Sequence, residues 1–245
     1  MPNKFISSVK DYVGQAKLTT SKVVVVMLAI ISSWWIMVTT HFADLEPILG
    51  KYVDFFDSKR LIEVAFIVII CMLYSKSLKI SIKKMFTRID AKILAATLIA
   101  SAAFLFICNV IFNMKICKLD FGSLTSLIKL LYLALFEEMA FRGWGYNAFY
   151  STYKDNSKIR LFKKFEIEKS ALKAAIMTNI FFALIHMQAY MMFYNYKSIG
   201  LYIYSLFGVF ITGIYFTIIF SKTKSIWNAV ILHAFWDWFI GCMVF

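Results

Sequence analysis

The chain reads as an all-α, polytopic membrane bundle of about seven transmembrane helices. Three observations carry that reading. Hydrophobic residues make up 61% of the 245 and charged residues only 17%. Apolar runs long enough to cross about 30 Å of hydrocarbon, at about 1.5 Å per residue, recur along the whole length. Lysine and arginine collect in alternate segments between those runs, the pattern that membrane insertion imposes on loops.

The spans are expected at 23–42, 61–75, 93–113, 124–148, 171–191, 199–220 and 225–245. The first follows Lys4, Lys10, Lys17 and Lys22, as in a signal peptide, but its apolar run is long and no small-x-small cleavage site follows Thr40, so it is expected to remain as a helix. No stretch between spans is long enough for a soluble domain. The organisation is therefore a cytoplasmic N-terminal segment (1–22), helices one to three (23–123), and a C-terminal helical core (124–245) that holds the chemistry.

Six Lys or Arg residues fall in 76–92 and seven in 151–173, against two in 114–123 and one in 192–198. The positive-inside rule then puts the N-terminus in the cytoplasm and the C-terminus outside. The net charge of +13 is accounted for by loops that meet anionic lipid. Nucleic-acid binding is set aside, because the basic stretches have no separate fold to present them. Abundant Ile, Phe, Lys and Asn, with arginine only at Arg60, Arg88, Arg142 and Arg160, suggest an AT-rich genome and a bacterial plasma membrane. Cys71, Cys108, Cys117 and Cys242 lack metal-ligand or redox spacing and read as packing residues.

Charge inside the apolar runs is the informative feature. Glu137, Glu138 and Arg142 lie within one span, where each charge costs about 2.5–3.5 kcal/mol at mid-bilayer on insertion scales. Glu138 and Arg142 are four apart and can pair along one helical face, whereas Glu137 points about 100° away. One arginine cannot neutralise two carboxylates, so Glu137 is expected to face the bundle interior and do chemistry. Phe182 and His186 share a face of span five, and His233 and Asp237 share one of span seven. His41, Glu63 and Lys129 sit near span ends and are left out of the site.

Three helices thus supply Glu-Glu-x-x-x-Arg, Phe-x-x-x-His and His-x-x-x-Asp in that order. This arrangement resembles the CPBP family of intramembrane proteases, which takes in the type II CAAX prenyl endopeptidases and the bacteriocin-processing or bacteriocin-immunity (Abi) proteins. The resemblance covers about 124–241. It places the family's glutamates on Glu137 and Glu138, its arginine on Arg142, followed by Gly143 in Phe141-Arg142-Gly143, its second motif on Phe182 and His186, and its third on His233 and Asp237. It implies cleavage of a peptide bond in a membrane-associated precursor, with Glu137 as general base and His186 positioning water or protonating the leaving amine.

The sequence leaves metal use open. His186 and His233 with Glu137 or Asp237 would make a three-ligand zinc site with an open position. Without a metal, His233 and its partner four residues on would hydrogen-bond the oxyanion. Many family members carry asparagine where this chain has Asp237, and an ionised aspartate repels an oxyanion, so Asp237 is expected to be protonated, to orient His233 or to bind metal. The alternative reading is a non-catalytic scaffold for bacteriocin self-immunity or sensor-kinase control, acting through a membrane-protein partner. Rhomboid-type serine, Gly-x-Gly-Asp aspartyl and His-Glu-x-x-His zinc motifs are absent, and no internal repeat or broken helix suggests a transporter.

Overall fold

A computed structural model describes residues 17–40, 55–112, 115–116, 124–162, 165–193, 199–241 and 243–244. His41, Cys117, Cys242 and the side chains of Glu63 and Lys129 lie outside that description. Helices occupy each interval expected to span: α1 (Thr20–Thr40), α2 (Phe55–Leu73), α4 (Ala91–Phe112), α5 (Leu124–Glu138), α7 (Lys169–Phe193), α8 (Ile199–Thr223) and α9 (Ile226–Gly241). Two short helices, α3 (Ile82–Thr87) and α6 (Asn147–Thr152), lie between them.

Among the described residues three helices are long and apolar enough to cross a membrane, over Ala91–Cys108, Lys169–Met187 and Ile199–Thr223. The others fall short for physical reasons. Thr20–Ile36 and Val64–Leu73 are shorter apolar stretches. The motif helix carries charge, and α9, with 16 residues, rises only about 24 Å. The outermost helices show their apolar side chains to the surroundings: Ile99, Phe106 and Val110 on α4 and Ile203, Phe207 and Ile211 on α8 are exposed. Such all-round hydrophobicity suits lipid contact.

Span four is not one continuous α-helix. After Glu138 it winds as a π-helix over Met139–Tyr146, all eight residues buried, and resumes as α6 to Thr152. The Gly-Trp-Gly run inside it explains how so wide a turn packs. A Cβ on Gly145 would lie 3.1 Å from the Met27 sulfur and 3.3 Å from the Ala140 carbonyl, so glycine lets the segment lie this close to α1 without displacing either. π-turns are rare and recur at functional sites.

Two further features depart from the all-α expectation. The basic loop after α6 forms an antiparallel hairpin, β2 (Lys158–Phe162) with β3 (Phe165–Glu168), in the register Ile159↔Ile167 and Arg160↔Glu166. Ser157 donates its backbone N–H (3.0 Å) and hydroxyl (2.6 Å) to Asp155, a local turn that starts the hairpin and holds the Asp155 carboxyl below the usual carboxylate range. The last span also ends early, at Gly241, after which β4 (Met243–Val244) pairs with β1 (Lys115–Ile116).

The core sits around the π-helix, where Phe136, Phe141, Trp144, Phe149, Phe181 and Phe220 are buried. Residues 74–90 cross the end of this core as a strap held by backbone bonds. Asn147, itself buried, donates to the Ile80 carbonyl at 2.7 Å and accepts from the Ile80 N–H at 2.9 Å. Asn228 does the same at Asp90, donating at 2.9 Å and accepting at 3.0 Å. Trp227 donates to the Phe86 carbonyl at 2.9 Å and the Lys79 N–H to the Ser151 hydroxyl at 2.8 Å.

Candidate active site

Every residue picked out by the three motifs arrives at one place. Glu137 and Glu138 end α5 where it turns into the π-helix, His186 descends from α7, and His233 and Asp237 come from α9, which packs along α5. Glu138 is fully buried and its Oε1 accepts two bonds, from Arg142 Nη1 at 2.9 Å and from His233 Nδ1 at 2.8 Å. The Glu138–Arg142 pair expected from the four-residue spacing therefore forms even though the π-turn begins between them. It also does more than neutralise charge, because an acceptor on Nδ1 fixes the tautomer and orientation of the His233 ring.

Arg142 is buried as deeply. Its Nη2 donates to the Gly213 carbonyl at 2.9 Å and to Asn179 Oδ1 at 3.3 Å, and its guanidinium lies 4.4 Å from the Phe182 ring centre. Asn179 is held in turn, donating to the Ala175 carbonyl at 2.7 Å and to the Thr217 hydroxyl at 3.0 Å. Thr217 donates to the Gly213 carbonyl at 2.9 Å. Gly213 has no room for a side chain, since a Cβ there would collide with Asn179 Oδ1 and lie 2.8 Å from the Phe182 ring.

Glu137 has a different setting. It is 14% exposed, and its Oε2 lies 3.8 Å from His186 Nε2 and 3.8 Å from His233 Nε2. Asp237 Oδ2 is 3.4 Å from the same His233 nitrogen. His186 Nδ1 lies 2.8 Å from the Phe182 carbonyl, which can only accept, so Nδ1 carries a proton and Nε2 is the nitrogen that faces Glu137. Both imidazoles are seated by aromatic rings. Phe182 packs edge-on against His186 at 4.7 Å and against His233 at 6.0 Å, and Phe216 lies 4.8 Å from His233.

Residues 120–239 match the family model described as type II CAAX prenyl endopeptidase Rce1-like. The C-terminal half of this chain is similar to the Rce1-like family. No curated protein and no solved structure matches the chain. The match begins just before α5 and ends within α9, so it takes in every motif residue and leaves α1 to α4 outside it.

In this Rce1-like core the side chains suggested as metal ligands do not close on a point. Zinc held at about 2.0–2.2 Å sets nitrogen and oxygen donors roughly 3.3–3.5 Å apart. Glu137 stands 3.8 Å from both imidazoles. Among the described residues no group of three or more His, Cys, Asp or Glu side chains is arranged to hold a metal ion. The 3.8 Å separations exceed a direct hydrogen bond and suit one shared water or substrate oxygen.

Asn179, Gly213, Phe216 and Thr217 are absent from the sequence-based site. α8 as a whole received no role, because it contains no carboxylate or histidine between Ile199 and Thr223. A signal was available. Asn179 lies seven residues, two helical turns, before His186 and so shares its face. Gly213 and Thr217 form a small-xxx-small pair of the kind that lets membrane helices approach closely.

Proposed function

We propose that this protein is a membrane endopeptidase that hydrolyses a peptide bond in a membrane-associated peptide or protein precursor, with Glu137 as the general base. The observation that carries the reading is one carboxylate faced at 3.8 Å by the Nε2 atoms of two imidazoles from two other helices. The Rce1-like match supports the same class of reaction.

Amide hydrolysis needs an activated water, a stabilised oxyanion and a proton for the departing amine. A water donating one hydrogen to Glu137 and the other to the lone pair of His186 Nε2 is held for attack. As its oxygen bonds to the carbonyl carbon, Glu137 takes the proton. His233, doubly protonated between Glu138 and Asp237, donates from Nε2 to the carbonyl oxygen as it becomes anionic. When the carbon–nitrogen bond breaks, Glu137 passes its proton to the amine. Asp237 acts here by orienting His233, which fits an aspartate where an asparagine would have served as donor. Glu138 and Arg142 hold His233 and do not touch substrate.

The test is cleavage of a membrane-embedded peptide library by the purified chain in liposomes, read by mass spectrometry. Wild type should release defined fragments and Glu137→Gln none, with both equally folded. Equal cleavage by the two, or a Glu137→Gln chain that retains full function in cells, would replace the protease by the scaffold. Chelator treatment should leave cleavage intact. Loss that added zinc reverses would instead give His186, His233, Glu137 and Asp237 the role of ligands. The lysine-rich end of the bundle is proposed to face the cytoplasm, so cysteines introduced at 154–160 should label only after permeabilisation.

A further inference from the structure

At the lysine-rich end of the bundle, away from the motif residues, two cations from two segments gather around one tyrosine. Lys79, on the strap, places its Nζ 3.7 Å from the centre of the Tyr150 ring, and Lys224, between α8 and α9, lies 6.0 Å from the same centre. Lys84 on α3 is within electrostatic reach of Lys224. The carboxylate in this group is Glu168, already engaged as acceptor by the Tyr150 hydroxyl at 2.7 Å and the Ser170 hydroxyl at 3.4 Å. Three lysines against one carboxylate leave positive charge uncompensated.

Lys224 is held there at a cost. Its φ of 55° is the left-handed conformation that L side chains rarely adopt, and it is the non-glycine residue with positive φ among those described. Its N–H closes the last turn of α8 on the Phe220 carbonyl at 2.7 Å, a position where glycine would serve with less strain. Burial lowers its pKa, and Lys84 and Lys79 lower it further against the pull of Glu168. Strain, burial and like charge at one residue are what a binding site retains and a passive loop loses.

We propose that Lys79 and Lys224, with the charge of Lys84 adding to theirs, bind the phosphate of an anionic phospholipid headgroup. The level in the membrane supports a lipid as the source. Lys224 directly follows the apolar stretch Ile199–Thr223, and α9 starts at Ile226, so the cluster sits where two helices leave the hydrocarbon and meet headgroups. The Tyr150 ring supplies a neutral aromatic face for the lysines, since burial and its bond to Glu168 push its hydroxyl up to about 12.

Thermal unfolding of the full chain in detergent micelles doped with phosphatidylglycerol or with phosphatidylcholine tests the site. Phosphatidylglycerol should raise Tm by several degrees more than phosphatidylcholine. The double variant Lys79→Gln/Lys224→Gln should lose most of that increment, whereas Lys158→Gln/Arg160→Gln, removing equal charge from the exposed hairpin, should keep it. Lys224→Gly relieves the backbone strain, so it should fold at least as well in phosphatidylcholine yet show a smaller increment. No selective rise in wild type, equal loss in the hairpin variant, or a full increment in Lys224→Gly would overturn the proposal. A rise with millimolar inorganic phosphate and none with phosphatidylglycerol would also overturn it, giving the site to a soluble anion.

Discussion

Glu137 and Glu138 are neighbours in the chain and of one chemical type, yet they occupy opposite kinds of surroundings. Glu138 is fully buried, with one oxygen gripped by Arg142 and His233, and the arginine is gripped by Asn179 and Gly213. Glu137 keeps some exposure and stands 3.8 Å from two imidazole nitrogens. A rigid corner thus adjoins a partly exposed one, and residues one position apart belong to each. On the proposed mechanism, preorganisation and reactivity are divided between adjacent side chains. Glu138 sets the ring of His233, and Glu137 is the carboxylate proposed to meet a reactant.

The largest expected effect separates the two corners by activity. Glu137→Gln should lower the rate by about 10²–10⁴, the usual worth of a positioned general base, with melting in detergent unchanged. If melting falls as well, Glu137 belongs to the rigid corner. Next comes Arg142→Ala, which strands the Glu138 carboxylate in a dry interior and should cost about 3–5 kcal/mol of stability together with activity. A variant that is inactive yet melts like wild type would make the arginine catalytic and undo the division.

Gly213→Ala probes the support of the rigid corner from α8. The added methyl meets Asn179 and Phe182, so about 1–3 kcal/mol should be lost by overpacking. The activity that survives should show altered kcat more than altered KM, because Arg142 and the His233 ring shift while the substrate surface stays. The smallest effect is expected at the strap: Asn228→Ala removes two bonds to the Asp90 backbone, roughly 1–3 kcal/mol with little change in the rate per folded molecule. A large loss of rate there would tie the strap to the reactive corner.

The parts of this arrangement that sequence could reveal are those governed by helical spacing. Glu138 with Arg142 and His233 with Asp237 each lie four apart, and the expected contacts form at 2.9 and 3.4 Å. What spacing cannot express is contact between helices. Asn179 and Gly213 are 34 positions apart and meet only because α7 packs on α8. The π-turn at Met139 is equally hidden, since its hydrophobic pattern is that of any buried helix and only Gly143 and Gly145 hint at a wider winding. The hairpin after α6 eluded the reading because its lysines and glutamates look like a solvated loop, and its strand formers, Ile159, Phe162, Phe165 and Ile167, are interleaved with them.

The clasps made by Asn147 and Asn228 have a consequence for how freely the chain can vary. Each grips main-chain atoms of the strap, at Ile80 and Asp90, and Trp227 reaches another backbone carbonyl at Phe86. Every residue offers the same carbonyl, and all but proline the same N–H, so this attachment is indifferent to which side chains the strap carries. The reading is done entirely from one side. These clasps therefore fix where the strap runs without fixing what it is made of, and any demand on its composition comes from the buried side chains of Leu78, Ile80 and Met85 instead.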